Sequence, residues 1–192
     1  MRVVAAVGTL ALVLPASAAL GGTITGRVAL GHAMEADRTV VYVDSVPDAK
    51  LQHAGATPIR LSQRGAQFKP RVLPVVRGTE VDMTNDDWVS HSVFSRATTK
   101  AFDLGIYGQD VKKTVVFDKK GVVQIFCAIH PRMNGVVLVL QNPFFAKPAA
   151  DGTFAIEGVP PGSYQVRVYR PGSAVPPTNV TVPASGSVTV TF

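Results

Sequence analysis

Along most of this chain, apolar and polar residues alternate in short runs, and Gly, Pro, Asn and Asp separate the runs. Strict alternation puts successive side chains on opposite faces of a strand, and no stretch carries the 3.6-residue period of a long amphipathic helix. The pattern predicts an all-β chain. Candidate strands cover 40–43, 72–76, 79–83, 113–117, 122–126 and 136–140, with Gly78, Gly121 and Gly135 at turns or bends. Two stretches, 35–38 and 96–108, are predicted to be irregular or to form a helical turn.

The character of the chain changes at Asn142-Pro143. Asp151-Gly152 signals a tight turn, Phe154 and Ile156 alternate, and Pro160-Pro161-Gly162 signals a second turn. Tyr164, Val166 and Val168 then share one strand face, with Gln165 and Arg167 on the other. Strands over 179–182 and 187–192 follow. The proline-rich stretch from Pro171 to Pro177 is too short to link independent domains.

The opening segment departs from this alternation. Arg2 precedes an apolar run from Val3 to Leu14, Pro15 breaks it, and Ala16-Ser17-Ala18 supplies the small residues a signal peptidase reads. Residues 1–18 are therefore expected to be a cleaved secretory signal, because the apolar run is too short to span a bilayer. That places the mature protein in the periplasm or otherwise outside the cytoplasm. With 19 basic against 13 acidic residues the net charge is +6, but the basic residues are scattered. The scatter argues against a nucleic-acid groove and favours a surface that meets an acidic partner.

Export also makes the single cysteine informative, since exported chains usually pair their thiols. Cys127 could be an inert buried thiol, an intermolecular bridge or a metal ligand. Its neighbours favour the last reading. Cys127-Ala-Ile-His130-Pro-Arg-Met133 follows a predicted strand directly, and His91 lies upstream in a second strand–loop segment that begins at Asn85. Two imidazoles and a thiolate in a plane, with a long axial thioether, form the donor set that selects copper for electron transfer. Soft sulfur suits Cu(I), imidazole accepts either oxidation state, and a rigid β frame limits rearrangement as the electron moves. Zinc would want further Cys or His ligands, and only His32 and His53 remain, which read as loop or surface residues. Trp88 reads as a packing or surface aromatic. Asp86 and Asp87 read as loop carboxylates pointing different ways, and the pairs Lys112-Lys113 and Lys119-Lys120 as solvated strand ends.

On these residues the segment 57–141 resembles a cupredoxin, a type 1 (blue) copper protein of the amicyanin and plastocyanin kind. Further support comes from Gln67-Phe68-Lys-Pro70 with Val72, Val75 and Val76, from Arg77-Gly78-Thr79, and from Val81-Asp-Met-Thr-Asn85. The resemblance implies a Greek-key sandwich holding one copper through His91, Cys127, His130 and Met133. Met133 would be the weak axial ligand, and His130 the electron port with Pro131 and Arg132 in its rim. One position departs from the family: many cupredoxins follow the first His with Asn, which ties the ligand loops together, and here it is Ser92.

The stretches Asp151-Gly-Thr-Phe154-Ala-Ile156 and Val159-Pro-Pro-Gly-Ser-Tyr164 resemble a carboxypeptidase-regulatory-like, transthyretin-like β-sandwich. Residues 142–192 are short for a complete sandwich, and 22–46 carry strands that could complete it, so the cupredoxin is expected to be inserted between the two halves. An N-terminal extension packed on the cupredoxin, followed by a small tail, is the alternative. Together the two resemblances are those of exported proteins of the methylamine-utilisation type. They imply a non-enzymatic electron carrier with a redox partner protein, because four ligands leave no open position for substrate. A copper carrier or sensor, or a binding or adhesion module acting through the C-terminal sandwich, are the competing functions.

Overall fold

The computed structural model describes residues 21–47 and 58–192. The proposed signal at 1–18, His53 and the opening residue of the 57–141 segment lie outside the described residues. Within them, the strands in chain order are β1 (Gly22–Arg27), β2 (Val40–Val43), β3 (Ile59–Gln63), β4 (Phe68–Lys69), β5 (Val72–Val76), β6 (Thr79–Asn85), β7 (His91–Ala97) and β8 (Lys100–Tyr107). There follow β9 (Lys112–Phe117), β10 (Gly121–Phe126), β11 (Asn134–Leu140), β12 (Phe145–Ala146), β13 (Thr153–Val159), β14 (Gly162–Tyr169), β15 (Thr178–Val182) and β16 (Ser187–Thr191). A single 3-10 helix, Ala33–Arg38, covers the predicted helical turn. Among the described residues no helix is long and apolar enough to cross a membrane.

The strands form four sheets, β4-β3-β6-β9, β5-β11-β10-β7-β8, β12-β2-β14-β15 and β13-β1-β16. Each adjoining pair of sheets closes over a separate hydrophobic core. Between the first two lie Leu61, Phe68, Met83, Phe117, Val123, Ile125, Val137 and Val139. Between the last two lie Ile24, Val41, Val43, Ile156, Val166, Val182 and Val190. The fold is therefore all-β, a larger Greek-key sandwich and a smaller one.

A third core joins the two sandwiches. Val72 of β5 and Val136, Leu138 and Leu140 of β11 pack with Val40 of β2, flanked by Tyr42, Phe145 and Tyr169. Successive strand residues face opposite ways, so β11 serves both cores at once: Val137 and Val139 point into the larger sandwich, Val136, Leu138 and Leu140 into the junction. Burial on both faces is the physical reason its sequence is a continuous apolar run, where a half-buried strand would alternate. Polar contacts brace the same seam: Lys120 Nζ lies 3.0 Å from Asp44, and Lys147 Nζ, itself paired with Asp37, donates to the Val72 carbonyl at 3.2 Å.

The smaller sandwich is assembled from both ends of the described chain. β1 lies between β13, which is antiparallel to it, and β16, which is parallel. β2 pairs with β12 and β14. Gly26 sits where β1 is squeezed between its neighbours: a Cβ there would come within 1.9 Å of the Val190 carbonyl oxygen, so only glycine fits.

One expectation is corrected. The stretch 96–108 is largely regular, because β8 pairs antiparallel with β7 from His91↔Tyr107 to Ala97↔Lys100, with a bulge between Ser92 and Phe94. It is an edge strand with one neighbour: Phe102 and Leu104 lean on the core, and only Tyr107 at its end is buried within it. Gly105, at φ 64°, interrupts the alternation that would otherwise mark the strand.

Candidate metal centre

The site forms at one end of the larger sandwich, where two loops meet. The first leaves β6 at Asn85, which is fully buried. Its side-chain NH2 donates to the carbonyls of Val89 (2.9 Å) and Tyr107 (3.1 Å), and its Oδ1 accepts from the Asp87 amide (2.9 Å). A buried amide with all three bonds made fixes the loop that enters β7. It also aims the Asp87 carboxylate, which accepts the amides of Gly65 (2.7 Å) and Ala66 (2.9 Å). Both of those residues have positive φ, so their N–H groups converge on one anion. The same carboxylate lies 2.7 Å from Nε2 of His91. Burial pushes the Asp87 carboxyl up, but the Ala66 and Gly65 amides and His91 outweigh it and hold it below the ordinary carboxylate range. An ionised acceptor can only receive a proton, so Nε2 of His91 carries the hydrogen, and in the neutral imidazole this leaves the lone pair on Nδ1.

The second loop joins β10 to β11. It is closed on itself by the Cys127 amide donating to Met133 O (3.1 Å) and the Met133 amide to His130 O (2.9 Å). Cys127 and Met133 are both buried in the core of the larger sandwich, Met133 at 1% exposure, whereas His130 is half-buried and Ile129 and Pro131 are exposed. The thiolate form of Cys127 is favoured before any metal is considered. Burial raises its pKa, yet the Ser92 and Ile129 amides and His130 together bring it down to about 6.

Ser92 bridges the loops. Its hydroxyl accepts the Ala128 amide at 2.8 Å and faces Cys127 Sγ at 3.8 Å, while its own amide donates to that sulfur at 3.4 Å. The departure from Asn at this position thus keeps the tie between the loops with a shorter side chain.

Three of the four residues singled out in the sequence converge: the donor atoms of His91, Cys127 and His130 all lie within 4.8 Å of one another. The two histidines face each other through Nδ1 at 3.0 Å, and His130 Nδ1 is 3.7 Å from Cys127 Sγ. A lone pair on His91, a thiolate and a second imidazole pointing at one spot are mutually repulsive unless a proton or a cation lies among them. Soft sulfur with two imidazoles is a donor set that fits copper. Met133 is brought to the closing end of the same loop. Asp87 is the residue that sequence reasoning missed. It was read as a loop carboxylate, although its place four residues before His91 was the available signal. Asp86 does point elsewhere, to Arg60 and Ser62.

A Greek-key pair of sheets whose β6–β7 and β10–β11 loops bring His, Cys and His together at one pole decides the fold. The larger sandwich is cupredoxin-like. Among solved structures, the chain is similar to a purple cupredoxin from Nitrosopumilus maritimus, at 26% identity and a TM-score of 0.38, over 42% of this chain and 98% of that one. It is similar to a Cu(I) amicyanin variant at 21% identity and a TM-score of 0.41, over 43% and 81%. It is also similar to a Cu-containing nitrite reductase from Thermus scotoductus, at 22% identity and a TM-score of 0.42, over 59% of this chain and 28% of that one. Residues 130–191 match the β-sandwich domain of ER membrane protein complex subunit 7. No curated protein matches the sequence. Outside the cupredoxin-like part, the second β-sandwich carries no comparable cluster among the described residues.

Proposed function

We propose that the cupredoxin-like sandwich holds one copper ion through His91, Cys127, His130 and Met133 and passes single electrons to and from a redox partner protein. The carrying observation is the facing pair of Nδ1 atoms at 3.0 Å beside a sulfur whose pKa is already down at about 6. When bound, copper supplies a one-electron Cu(I)/Cu(II) couple. The chain's own residues do the rest. Asp87 and the Gly65 and Ala66 amides behind it hold His91 in the tautomer that leaves Nδ1 free. The Ser92 amide and hydroxyl offer hydrogen bonds to the sulfur, which spread its negative charge. Half-buried His130 is the route outward, with the exposed Ile129, Pro131 and Arg132 as the rim that meets the partner.

In this reading the division of labour follows the chain: a signal at 1–18, the cupredoxin over 57–141, and a second sandwich of 142–192 completed by 22–46. The export signal puts the electron transfer in the periplasm, and the positive net charge, +6 less Arg2 once the signal is cleaved, favours an acidic partner surface. The test is to add Cu(II) to the metal-free protein. An intense thiolate-to-copper charge-transfer band in the visible is expected, together with a reversible one-electron redox wave. Cys127→Ser should abolish the band with the far-UV β signature unchanged. A colourless wild type would overturn the copper assignment, and a coloured protein with no reversible wave would overturn electron transfer in favour of copper carriage.

A further inference from the structure

Lined by none of the metal-site residues, a cleft of ≈ 340 Å³ lies at the seam between the two sandwiches. Phe126 and Asn134 line it from the larger sandwich, Tyr169 and Arg170 from the smaller, and Arg38 and Arg71 complete it. Three arginines line this space, and no Asp or Glu does. Arg170 is neutralised by Glu35, whose Oε2 lies 2.8 Å from Nη1. Arg38 and Arg71 are not: among the described residues neither makes an ion pair, and the Arg71 guanidinium has only a 3.4 Å bond to Asn134 Oδ1. The nearby Asp37 carboxylate relieves Arg71 only in part and pairs with neither guanidinium, because one oxygen is taken by Lys147 and the other accepts the backbone amide of Arg71. Burial and then the charge of Arg38 both push the Arg71 guanidinium below its ordinary pKa, as expected for like charges held together.

Two unpaired guanidiniums beside an aromatic wall are an arrangement that a planar anion satisfies, since each offers a fork of N–H donors. The volume is at the small end of the range for ligand pockets. We propose that this seam cleft binds a small organic carboxylate, with its apolar body against Phe126 and Tyr169 and its carboxylate held by Arg38 and Arg71. The site stands independently of the copper reading, because none of its residues is a proposed ligand and it can be tested on the metal-free protein.

The experiment is a titration of the full copper-free chain with benzoate, followed by backbone amide NMR. Saturable shifts centred on Arg71, Asn134 and Gly135 are expected. Arg38→Gln and Arg71→Gln should each weaken binding by about tenfold, the loss of one charge-assisted hydrogen bond. Lys119→Gln, an exposed cation elsewhere, should leave the affinity unchanged. Unsaturable shifts, equal binding of inorganic phosphate, or equal losses in the Lys119 variant would each overturn the proposal. Arg38 is exposed, so its variant tests the site even if Arg71→Gln perturbs the seam.

Discussion

Asp87→Asn isolates the device that prepares His91. The wild-type carboxylate receives three donors, Gly65 N at 2.7 Å, Ala66 N at 2.9 Å and His91 Nε2 at 2.7 Å, the last two on the same oxygen. An amide has the same shape but only one acceptor oxygen. If that oxygen keeps Ala66 and His91, the new NH2 confronts the Gly65 amide. If it keeps Gly65, the NH2 confronts His91 and drives the imidazole to the tautomer with hydrogen on Nδ1, where a metal must bind. Losing charge-assisted acceptance at this half-buried point should lower the stability of the metal-free protein by about 1.5–3 kcal/mol. Copper affinity should fall by about 10–100-fold, the usual cost of removing the partner that orients a ligating histidine. The pH dependence carries its own sign. Asp87 is held below its unfolded pKa, so its contribution is fully present above about pH 4 and is lost as pH falls through the lower folded value. The gap between wild type and variant should therefore be constant at neutral pH and close in acid. Urea denaturation across pH, copper competition, and two-bond nitrogen–proton NMR of the His91 ring would measure the three effects. Unchanged affinity with hydrogen still on Nε2 would refute the reasoning.

The metal-free Cys127 thiol should ionise with a midpoint at about pH 6, read by thiolate absorbance in the ultraviolet, against about 8.5 in the unfolded chain. Since the folded value is the lower one, this group's stabilisation is complete above the unfolded pKa and disappears as pH falls through 6; a midpoint near 8.5 in the folded protein would contradict the hydrogen-bonding account. Leu138→Ala removes a side chain that only the junction core buries, and should cost about 2–5 kcal/mol in chemical denaturation. A loss under about 1 kcal/mol would mean that the two sandwiches are not packed together in solution.

Strand content and the ligand loop were legible in the sequence for local reasons. Alternation at Tyr164, Val166 and Val168 is a property of the chain itself, and the structure buries all three on one face. Cys127, His130 and Met133 are close in sequence, so a single turn had to bring them near one another whatever the rest did. β8 was missed because an edge strand leaning on the core through Phe102 and Leu104 has little pattern to show, and Gly105 breaks what there is. What the sequence could not decide was everything that depends on residues far apart in the chain. The apolar run of β11 told that it was buried, but not that its two faces serve different cores, because that follows from where β2 and β5 pack. Asp87 carried one local mark, its place four residues before His91, but the Gly65 and Ala66 amides that aim it lie on another loop and left no trace beside it. Side-chain period is written residue by residue and can be read locally. A shared interface or a converging set of hydrogen bonds exists only once the chain has closed, and so belongs to the tertiary structure alone.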